Sequence, residues 1–264
     1  KLPLWLVFDN AEDLGPNVTI IFKEGDDLRQ DVLTLQLLRI MDRLWKEQGM
    51  DLRMNPYGCV STGDELGMIE VVLNSITMAG INKKAGGALK VLKSKTVDSF
   101  LISKNNLNEE KEEKMRDNFT QSSAAYCVAT YVLGIGDRHN DNIMVTMAGN
   151  LFHIDFGHFL GNYKTKFGIK RERAPFVFTH QYQAVMGAYN TLRRETSFLI
   201  NLFHIMLSTG IPELRNTKDI EYLRDALRSD LNDQEASRFI EERIYEALGC
   251  KTTWVNDIIH IMAH

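Results

Sequence analysis

The sequence has few cysteines and few prolines. Its three cysteines, Cys59, Cys127 and Cys250, lie far apart in 264 residues and form no CxxC pair. A disulfide framework and a zinc site are therefore not indicated, and a reducing, cytosolic setting is the simplest interpretation. Five prolines, 44% hydrophobic residues and 25% charged residues are typical of an ordinary globular protein with enough apolar material for a core.

A basic excess and long apolar runs are also missing. The formal net charge is −4, so no nucleic-acid partner is expected, because general nucleic-acid binders usually carry surplus Lys and Arg. No apolar run approaches the length of a membrane span. Residues 1–8 are too short for a signal peptide and are more typical of a strand inside a domain, so we expect the chain to be a piece of a longer protein.

Hydrophobic spacing predicts strands around one helix in the first third of the chain and mainly helices after it. Apolar residues 4–8 and 18–22 flank a Gly-Pro turn signal, and apolar residues between 28 and 44 recur at the three- and four-residue steps of a helix. Further strands are predicted at 67–73, 143–145 and 151–154, and further helices at 119–133, 189–207, 219–227 and 232–248. The charged stretch 105–114 is expected to be a solvated loop or the start of a helix. The fold class is therefore α+β, with a small mixed lobe, a larger helical lobe and a ligand cleft between them.

The most specific motif is GIGDRHNDNIM at residues 134–144, followed by HIDFGH at 153–158. Asp137 and Asn142 are five residues apart, and Asp155 follows thirteen residues later. Phosphoryl transfer needs a metal-holding acid, a second oxygen ligand and a group that handles the acceptor proton. Protein kinases place these groups at the same intervals in HRDxxxxN and DFG. Asn142 and Asp155 are therefore predicted to hold Mg²⁺, which prefers oxygen ligands.

The order Asp-Arg-His, instead of His-Arg-Asp, resembles the catalytic segment of phosphoinositide 3-kinases. The resemblance extends outward: residues 20–31 are similar to the segment that carries the ATP-phosphate lysine, which falls on Lys23. Residues 54–58 resemble the back of the nucleotide pocket and place Tyr57 there. Residues 67–72 resemble the hinge, in which the backbone of Glu70 and Val72 meets adenine, and Lys1 stands at the end of the phosphate-binding loop.

The resemblance implies a two-lobed protein-kinase-like fold. It divides the chain into a partial N-lobe at residues 1–73, with the ATP lysine and hinge, and a C-lobe at residues 74–264, with the catalytic and activation loops. Within the N-lobe, Asp26 and Asp27 are expected to cap the following helix, where carboxylates favour the positive end of the dipole. Asp31 is expected to hydrogen-bond Tyr57.

Two histidines beside the carboxylates are predicted to be catalytic. His139 is suited to accept the proton of the acceptor hydroxyl, because its unperturbed pKa of about 6.5 fits general-base work near neutrality. Asp137 then positions His139 or shares the proton, and the reverse assignment is equally open. His158 follows DFG directly and is included among the catalytic residues. His153 is expected to be structural.

A basic segment follows DFG. Residues 163–173 carry five cations and one anion, a local charge of +4 in a chain of net charge −4. Such a run is ordinarily a solvated surface, but kinases hold the acceptor at this point, and a phosphorylated headgroup on an anionic leaflet calls for clustered Lys and Arg. The segment resembles class I activation loops, in which Lys164 and Lys166 would meet one headgroup phosphate, and Lys170 and Arg171 another.

The class I resemblance implies transfer of the ATP γ-phosphate to the 3-hydroxyl of phosphatidylinositol 4,5-bisphosphate, with ATP and Mg²⁺ as cofactors. It further implies a phosphoinositide in a membrane, a regulatory subunit with SH2 domains, a small GTPase that binds outside this chain, and recruitment from the cytosol to the inner face of the plasma membrane. One alternative is a Ser/Thr protein kinase of the related large-kinase family, which shares DRHxxN and DFG. The basic segment argues against it. The other is a catalytically dead scaffold, but no metal or catalytic residue is lost.

Overall fold

Two runs rich in β-branched and aromatic residues begin the fold as paired strands. The computed structural model describes residues 2–12, 15–84, 96–105, 108–161, 165–166, 169–170, 182–211 and 214–249. The first sheet is antiparallel, with the order β1-β2-β4-β3, and consists of β1 (Leu4–Phe8), β2 (Val18–Glu24), β3 (Cys59–Gly63) and β4 (Leu66–Glu70). The strands predicted at 4–8, 18–22 and 67–73 are confirmed, the last with a shorter extent.

Helix α1 (Arg29–Glu47) confirms the helical spacing predicted from residue 28. Its apolar face is fully buried at Leu38, Met41 and Trp45, and the indole Nε1 of Trp45 donates to the carbonyl of Ala188 at 2.9 Å. This bond joins α1 to α5 (Tyr182–Arg194) in the C-terminal part of the chain. The first sheet is thereby anchored on the helical part through one helix.

The predicted capping by Asp26 and Asp27 is only half right. The N-cap position is Leu28, which has no side-chain cap. Asp27 accepts from the Arg29 amide at 3.1 Å and so satisfies one free N–H of the first turn. Asp26 instead lies 3.2 Å from the ammonium of Lys23. Asp26 lies three residues before the start of α1, and its carboxylate pairs with a cation instead of capping the helix.

The second sheet holds the segments that carry the motifs. It has the order β5-β6-β7 and consists of β5 (Ser75–Thr77), β6 (Ile143–Thr146) and β7 (Leu151–His153). In the antiparallel register Ile143 faces His153, so the residue before β6 and the residues after β7 lie side by side. The amide of Ile154 donates to the carbonyl of Asn142 at 3.0 Å. A local hairpin therefore brings the DRHxxN and DFG segments together.

Helix α4 (Glu109–Val132) begins ten residues earlier than predicted. The side chain of Asn108 accepts from the Lys111 amide, which makes the charged stretch a helix start, one of the two expected alternatives. The predicted helix 189–207 is divided by Glu195 into α5 and α6 (Thr196–Met206). Four other helices complete the described part: α2 (Met78–Lys84), α3 (Thr96–Asn105), α7 (Thr217–Leu227) and α8 (Asp233–Gly249).

The α+β class is confirmed. One hydrophobic core runs from α1 through α4 and α5 to α8, and its largest fully buried side chains include Trp45, Tyr126, Phe156 and Phe203. None of the described helices combines the length and the apolar character needed to cross a bilayer. The division at residues 73 and 74 stays a prediction, although the second sheet begins at Ser75, five residues after the first sheet ends.

Candidate active site

The catalytic loop, residues 134–141, is hydrogen-bonded along its backbone to the segment that contains DFG. The amide of Leu160 donates to Leu133, that of Gly161 to Gly134, and that of Gly136 to His158, at 2.8 to 3.0 Å. Gly134 has a φ of +58°, and a Cβ there would lie 2.4 Å from the amide nitrogen of Gly161. Only glycine permits this close approach. The two motifs therefore form one unit.

Arg138 fastens this unit from the inside. Its guanidinium donates to the carbonyls of Gly136 at 2.9 Å, of Ile154 at 2.8 Å and of Asp155. It also lies 5.7 Å from the ring centroid of Phe156, within cation–π range. Sequence reasoning assigned no role to Arg138. Its position between Asp137 and His139 was the available signal, but the carbonyls that it binds are brought close only by folding.

Asn142 and Asp155 present oxygen atoms at the junction of the two motifs. Asn142 is 7% exposed, and its Nδ2 donates to the carbonyl of Asp137 at 3.0 Å, so Oδ1 is the atom that would meet the predicted metal. The side chain of Asp155 is exposed, and one carboxylate oxygen accepts from the Gly157 amide at 3.4 Å. An amide oxygen beside a carboxylate fits Mg²⁺, which commonly takes few protein ligands and completes its shell with phosphate and water. No group of three or more His, Cys, Asp or Glu gathers into a metal cluster within the described residues.

The backbone at two of these acids is unusual. Asp137 has a φ of +56° and Asp155 a φ of +59°, in the left-handed region that non-glycine residues rarely adopt. Such conformations persist only where surrounding contacts hold them, and they cluster at functional sites. The contacts here are the bonds from Asn142 and Arg138 to the two carbonyls. Two of the seven described non-glycine residues with a positive φ are therefore those predicted to handle the proton and the metal.

The histidines differ in their surroundings. Nδ1 of His139 accepts from the Asp141 amide at 3.2 Å, and the side chain is 20% exposed. His158 is half-buried, and its carbonyl accepts from Gly136. His153 is buried and stacks on Tyr126 with ring centroids 5.1 Å apart; burial, with the nearby charge of Arg138, holds its pKa well below the usual range. Burial and stacking suit the structural role expected of His153.

Lys23, the predicted phosphate lysine, lies near the end of β2. Its ammonium is paired with Asp26, and the side chain is 34% exposed. Asp31, in the first turn of α1, feels both this cation and Asp155: burial raises the pKa of Asp31, Asp155 raises it further, and Lys23 and the bond from the Phe156 amide lower it. Lys23, Asp31 and Asp155 therefore share one electrostatic environment. The charges of the predicted phosphate lysine and of the predicted metal ligand therefore both act on Asp31.

Tyr57 lies in the connection between α1 and β3. It is buried, its ring meets Phe152 edge-on at 6.2 Å, and its carbonyl accepts from Arg39 at 2.7 Å. Burial, reinforced by the charge of Asp31, raises the pKa of Tyr57 well above its usual value. The predicted hydrogen bond between Asp31 and Tyr57 is wrong. Asp31 Oδ1 accepts from the Phe156 amide at 3.2 Å instead, because the DFG backbone reaches the first turn of α1.

The hinge residues leave one backbone donor open. The amide of Glu70 donates to the carbonyl of Gly58 at 2.8 Å, and the Glu70 carboxylate accepts from the Gly58 amide, so its side chain holds the turn that carries Tyr57. The amide of Val71 donates to the carbonyl of Thr19 at 3.0 Å, and the carbonyl of Val72 accepts from the hydroxyl of Ser75 at 2.6 Å. The amide of Val72 makes no hydrogen bond within the described residues. It is suited to meet the edge of an adenine ring.

Several predicted site residues cannot be placed. Lys1, Lys164 and Arg171 lie outside the described residues. Lys166 and Lys170 belong to a two-stranded hairpin, β8 (Thr165–Lys166) and β9 (Ile169–Lys170), in which the backbone alone is described. The headgroup site therefore stays a prediction from the sequence.

Known proteins are similar to this chain over most or all of its length. A family model described as phosphatidylinositol 3- and 4-kinase matches residues 17–216. Phosphatidylinositol 3-kinase 2 and phosphatidylinositol 3-kinase 3 of Dictyostelium discoideum are 56% and 51% identical over the whole chain, which covers 15% and 16% of their lengths. The phosphatidylinositol 3-kinase C2 domain-containing subunit gamma of Rattus norvegicus is 41% identical over 99% of the chain and 18% of its own length. The chain thus spans less than a fifth of these relatives. Because the family model covers most of its 264 residues, the chain belongs to the phosphatidylinositol 3- and 4-kinase family.

Proposed function

We propose that the protein is a lipid kinase that transfers the γ-phosphate of ATP to the 3-hydroxyl of a phosphatidylinositol lipid. The observation that carries the proposal is that the backbone bond from Ile154 to Asn142 brings Asn142 and Asp155 onto neighbouring segments. The charges of Asp155 and Lys23 both act on Asp31. Two oxygen ligands and one cation at the same cleft are the groups that phosphoryl transfer requires. The printed names of the relatives, all phosphatidylinositol 3-kinases, support the choice of lipid and position.

The residues have separate tasks in this reaction. The ammonium of Lys23 leaves Asp26 and binds a phosphate oxygen of ATP, where it acts as a point charge. The Val72 amide and the Glu70 carbonyl hold the adenine edge. Asn142 and Asp155 hold Mg²⁺, which when bound neutralises charge that develops on the transferring phosphate. Positioning and charge neutralisation supply most of the rate enhancement in such a site.

Asp137 and His139 act on the acceptor hydroxyl. The Asp137 carbonyl accepts from the side chain of Asn142. The Asp137 side chain therefore begins close to a residue that we propose as a metal ligand. His139 is held by the Asp141 amide at Nδ1. One of the two accepts the proton and the other orients it, and His158 lies on the neighbouring segment. Both assignments place the acceptor between the catalytic loop and DFG.

The substrate we propose is phosphatidylinositol 4,5-bisphosphate, as in class I enzymes. The support is the local charge of +4 in residues 163–173, which suits a headgroup that already carries phosphates. A member acting on unphosphorylated phosphatidylinositol needs less positive charge. The relatives include a C2 domain-containing subunit as well as numbered phosphatidylinositol 3-kinases, so their names do not select the class.

The same reasoning extends to partners and location. We propose recruitment from the cytosol to the inner face of the plasma membrane, where this lipid is phosphorylated, and a regulatory subunit that carries SH2 domains. A small GTPase would bind outside this chain. The support is the class I character of the basic segment alone.

The decisive experiment offers the full-length protein radiolabelled ATP with vesicles that contain phosphatidylinositol, its 4-phosphate or its 4,5-bisphosphate, and separately a set of Ser/Thr peptides. We expect label on the 3-position, fastest with the 4,5-bisphosphate, and no labelling with Asp155→Asn. Label on peptides without label on lipid would overturn the proposal. Fastest labelling of unphosphorylated phosphatidylinositol would overturn the class I part only.

A further inference from the structure

We infer that the first turn of α1 is a positioning device for Asp155, and that Gln30 and Asp31 act through the backbone of Phe156. Neither residue reaches the reacting atoms in this inference. The inference rests on the proposed function, because it gives Asp155 its role as a metal ligand.

Two successive residues, Gln30 and Asp31, hydrogen-bond the backbone carbonyl and the backbone amide of Phe156. Nε2 of Gln30 donates to the carbonyl of Phe156 at 2.7 Å, and Oδ1 of Asp31 accepts from the Phe156 amide at 3.2 Å. Gln30 is 6% exposed and Phe156 is fully buried. The contacts span 126 and 125 positions of the sequence. They are therefore tertiary bonds between the helix after the phosphate-lysine strand and the DFG segment.

One peptide unit is held from both of its sides. The carbonyl of Asp155 and the amide of Phe156 belong to the same peptide plane. Arg138 donates to that carbonyl, and Asp31 accepts from that amide. Gln30 then fixes the next carbonyl. The direction in which Asp155 projects its carboxylate is therefore set by three side chains from two distant segments.

The backbone at Asp155 explains why such support is needed. Its φ of +59° is unfavourable for a residue with a Cβ, and the conformation persists only if its surroundings hold it. The same short segment carries Lys23, Gln30 and Asp31, and Lys23 acts on the charge of Asp31. Movement of this segment would displace the phosphate cation and the metal ligand together. The first turn of α1 thereby couples nucleotide phosphate binding to metal binding.

A purely structural role is the competing explanation, since a buried peptide group must be hydrogen-bonded in any case. The two roles differ in what a mutation changes. A structural bond affects stability alone, whereas a positioning bond affects the gain in nucleotide affinity that metal provides. Residues that orient metal ligands typically cost about 10-fold to 100-fold in metal affinity when they are removed.

The test compares Gln30→Met, Asp31→Ala and Asp31→Asn in the full-length protein. Gln30→Met keeps the side-chain length but removes the donor, and Asp31→Asn keeps an oxygen acceptor. The matched control is Gln36→Met, which makes the same change at an exposed position of the same helix. Two quantities are measured: the affinity for a fluorescent ATP analogue with and without Mg²⁺, and the hydrogen-exchange rate of the amides in residues 155–159.

We expect Gln30→Met and Asp31→Ala to reduce the Mg²⁺-dependent gain in affinity about tenfold and to leave the metal-free affinity unchanged. Exchange at 155–159 should accelerate in both, and Asp31→Asn should retain most of the gain. Gln36→Met should match the wild type. The inference is overturned if Gln30→Met and Asp31→Ala keep the wild-type gain in affinity, whatever their melting temperatures. Neither measurement uses lipid. If the wild-type protein transfers no phosphate to lipid but the variants show these changes, the proposed function is contradicted and the inference is not.

Discussion

The side-chain amide of Asn142 donates to the backbone carbonyl of Asp137 at 3.0 Å. This bond holds the predicted acceptor-handling acid in a left-handed conformation, and because it uses Nδ2 of Asn142, it leaves Oδ1 for the predicted metal. The five-residue interval between the two is thus a physical requirement: the loop must return far enough for one side chain to reach the other's carbonyl.

Replacing this asparagine should affect catalysis far more than stability. Asn142→Ala removes a metal oxygen and releases Asp137, so we expect kcat for lipid phosphorylation to fall roughly 100-fold to 1000-fold. The matched control is Asn118→Ala, which removes an equally buried amide that donates to Ala148 at 2.9 Å, away from the site. The control should lower the melting temperature with little change in kcat. Equal kcat losses in the two variants would contradict the role of Asn142.

Lys23 should be essential and its partner dispensable. Lys23→Met removes the phosphate cation, so we expect kcat/KM for ATP to fall about 100-fold or more. Asp26→Asn removes only the exposed partner of Lys23, and surface ion pairs contribute little, so it should change the same quantity less than about threefold. Initial rates at varied ATP measure both. A comparable loss in the two variants would show that the ion pair, and not phosphate binding, explains Lys23.

The basic segment should determine which lipid is used. In Lys170→Ser/Arg171→Ser we expect the rate on phosphatidylinositol 4,5-bisphosphate to fall roughly 10-fold to 30-fold, since each cation near an anionic surface contributes about 1 kcal/mol. The rate on unphosphorylated phosphatidylinositol should change little. The control Lys83→Ser/Lys218→Ser removes the same charge from exposed positions elsewhere. Equal losses on both lipids would exclude headgroup selection by this pair.

Cys59 should resist alkylation at neutral pH. Burial raises the pKa of its thiol from 9.0 to about 11, and the charge of Asp31 adds to the effect. A raised thiol pKa moves the thiolate to higher pH, so near pH 8 the reactive form is about a hundredfold scarcer than in an unperturbed thiol. Iodoacetamide labelling followed by mass spectrometry should show a rate at Cys59 that still rises tenfold per unit at about pH 10. A rate that levels off near pH 9, as in a cysteine peptide, would contradict this environment.

Replacing Arg193 should lower the free energy of unfolding more than replacing its neighbour Arg194. It is 7% exposed and donates to the carbonyls of Leu227 and Arg228 as well as to Asp233 and Asn190. Arg193→Leu strands these acceptors, so we expect about 3 kcal/mol or more of lost stability. Arg194→Leu removes one half-exposed pairing with Asp233 and should cost less than about 1 kcal/mol. Urea titration of both variants makes the comparison, and similar midpoints would argue against the buried network.

Local pattern was sufficient for most of the elements. The apolar run at residues 4–8 and the helical spacing from residue 28 appear in the fold as β1 and α1. The break at Glu195 was missed because apolar spacing continues across it, and the short helices α2 and α3 carry little periodic signal. The early start of α4 follows from the Asn108 side chain, which caps the charged stretch as the first turn of a helix.

By itself the sequence determined which oxygens and which cation are candidates for the chemistry, because these follow from residue types and from their spacing along the chain. The tertiary structure decided how those groups are held. Arg138 and Gln30 look like ordinary polar residues in the sequence, and only the meeting of segments more than a hundred positions apart gives Gln30 its bond to Phe156. The same meeting directs Asp31 to the DFG backbone and away from Tyr57. A hydrogen bond is set by distance and direction in space, and for such pairs neither is encoded in local spacing.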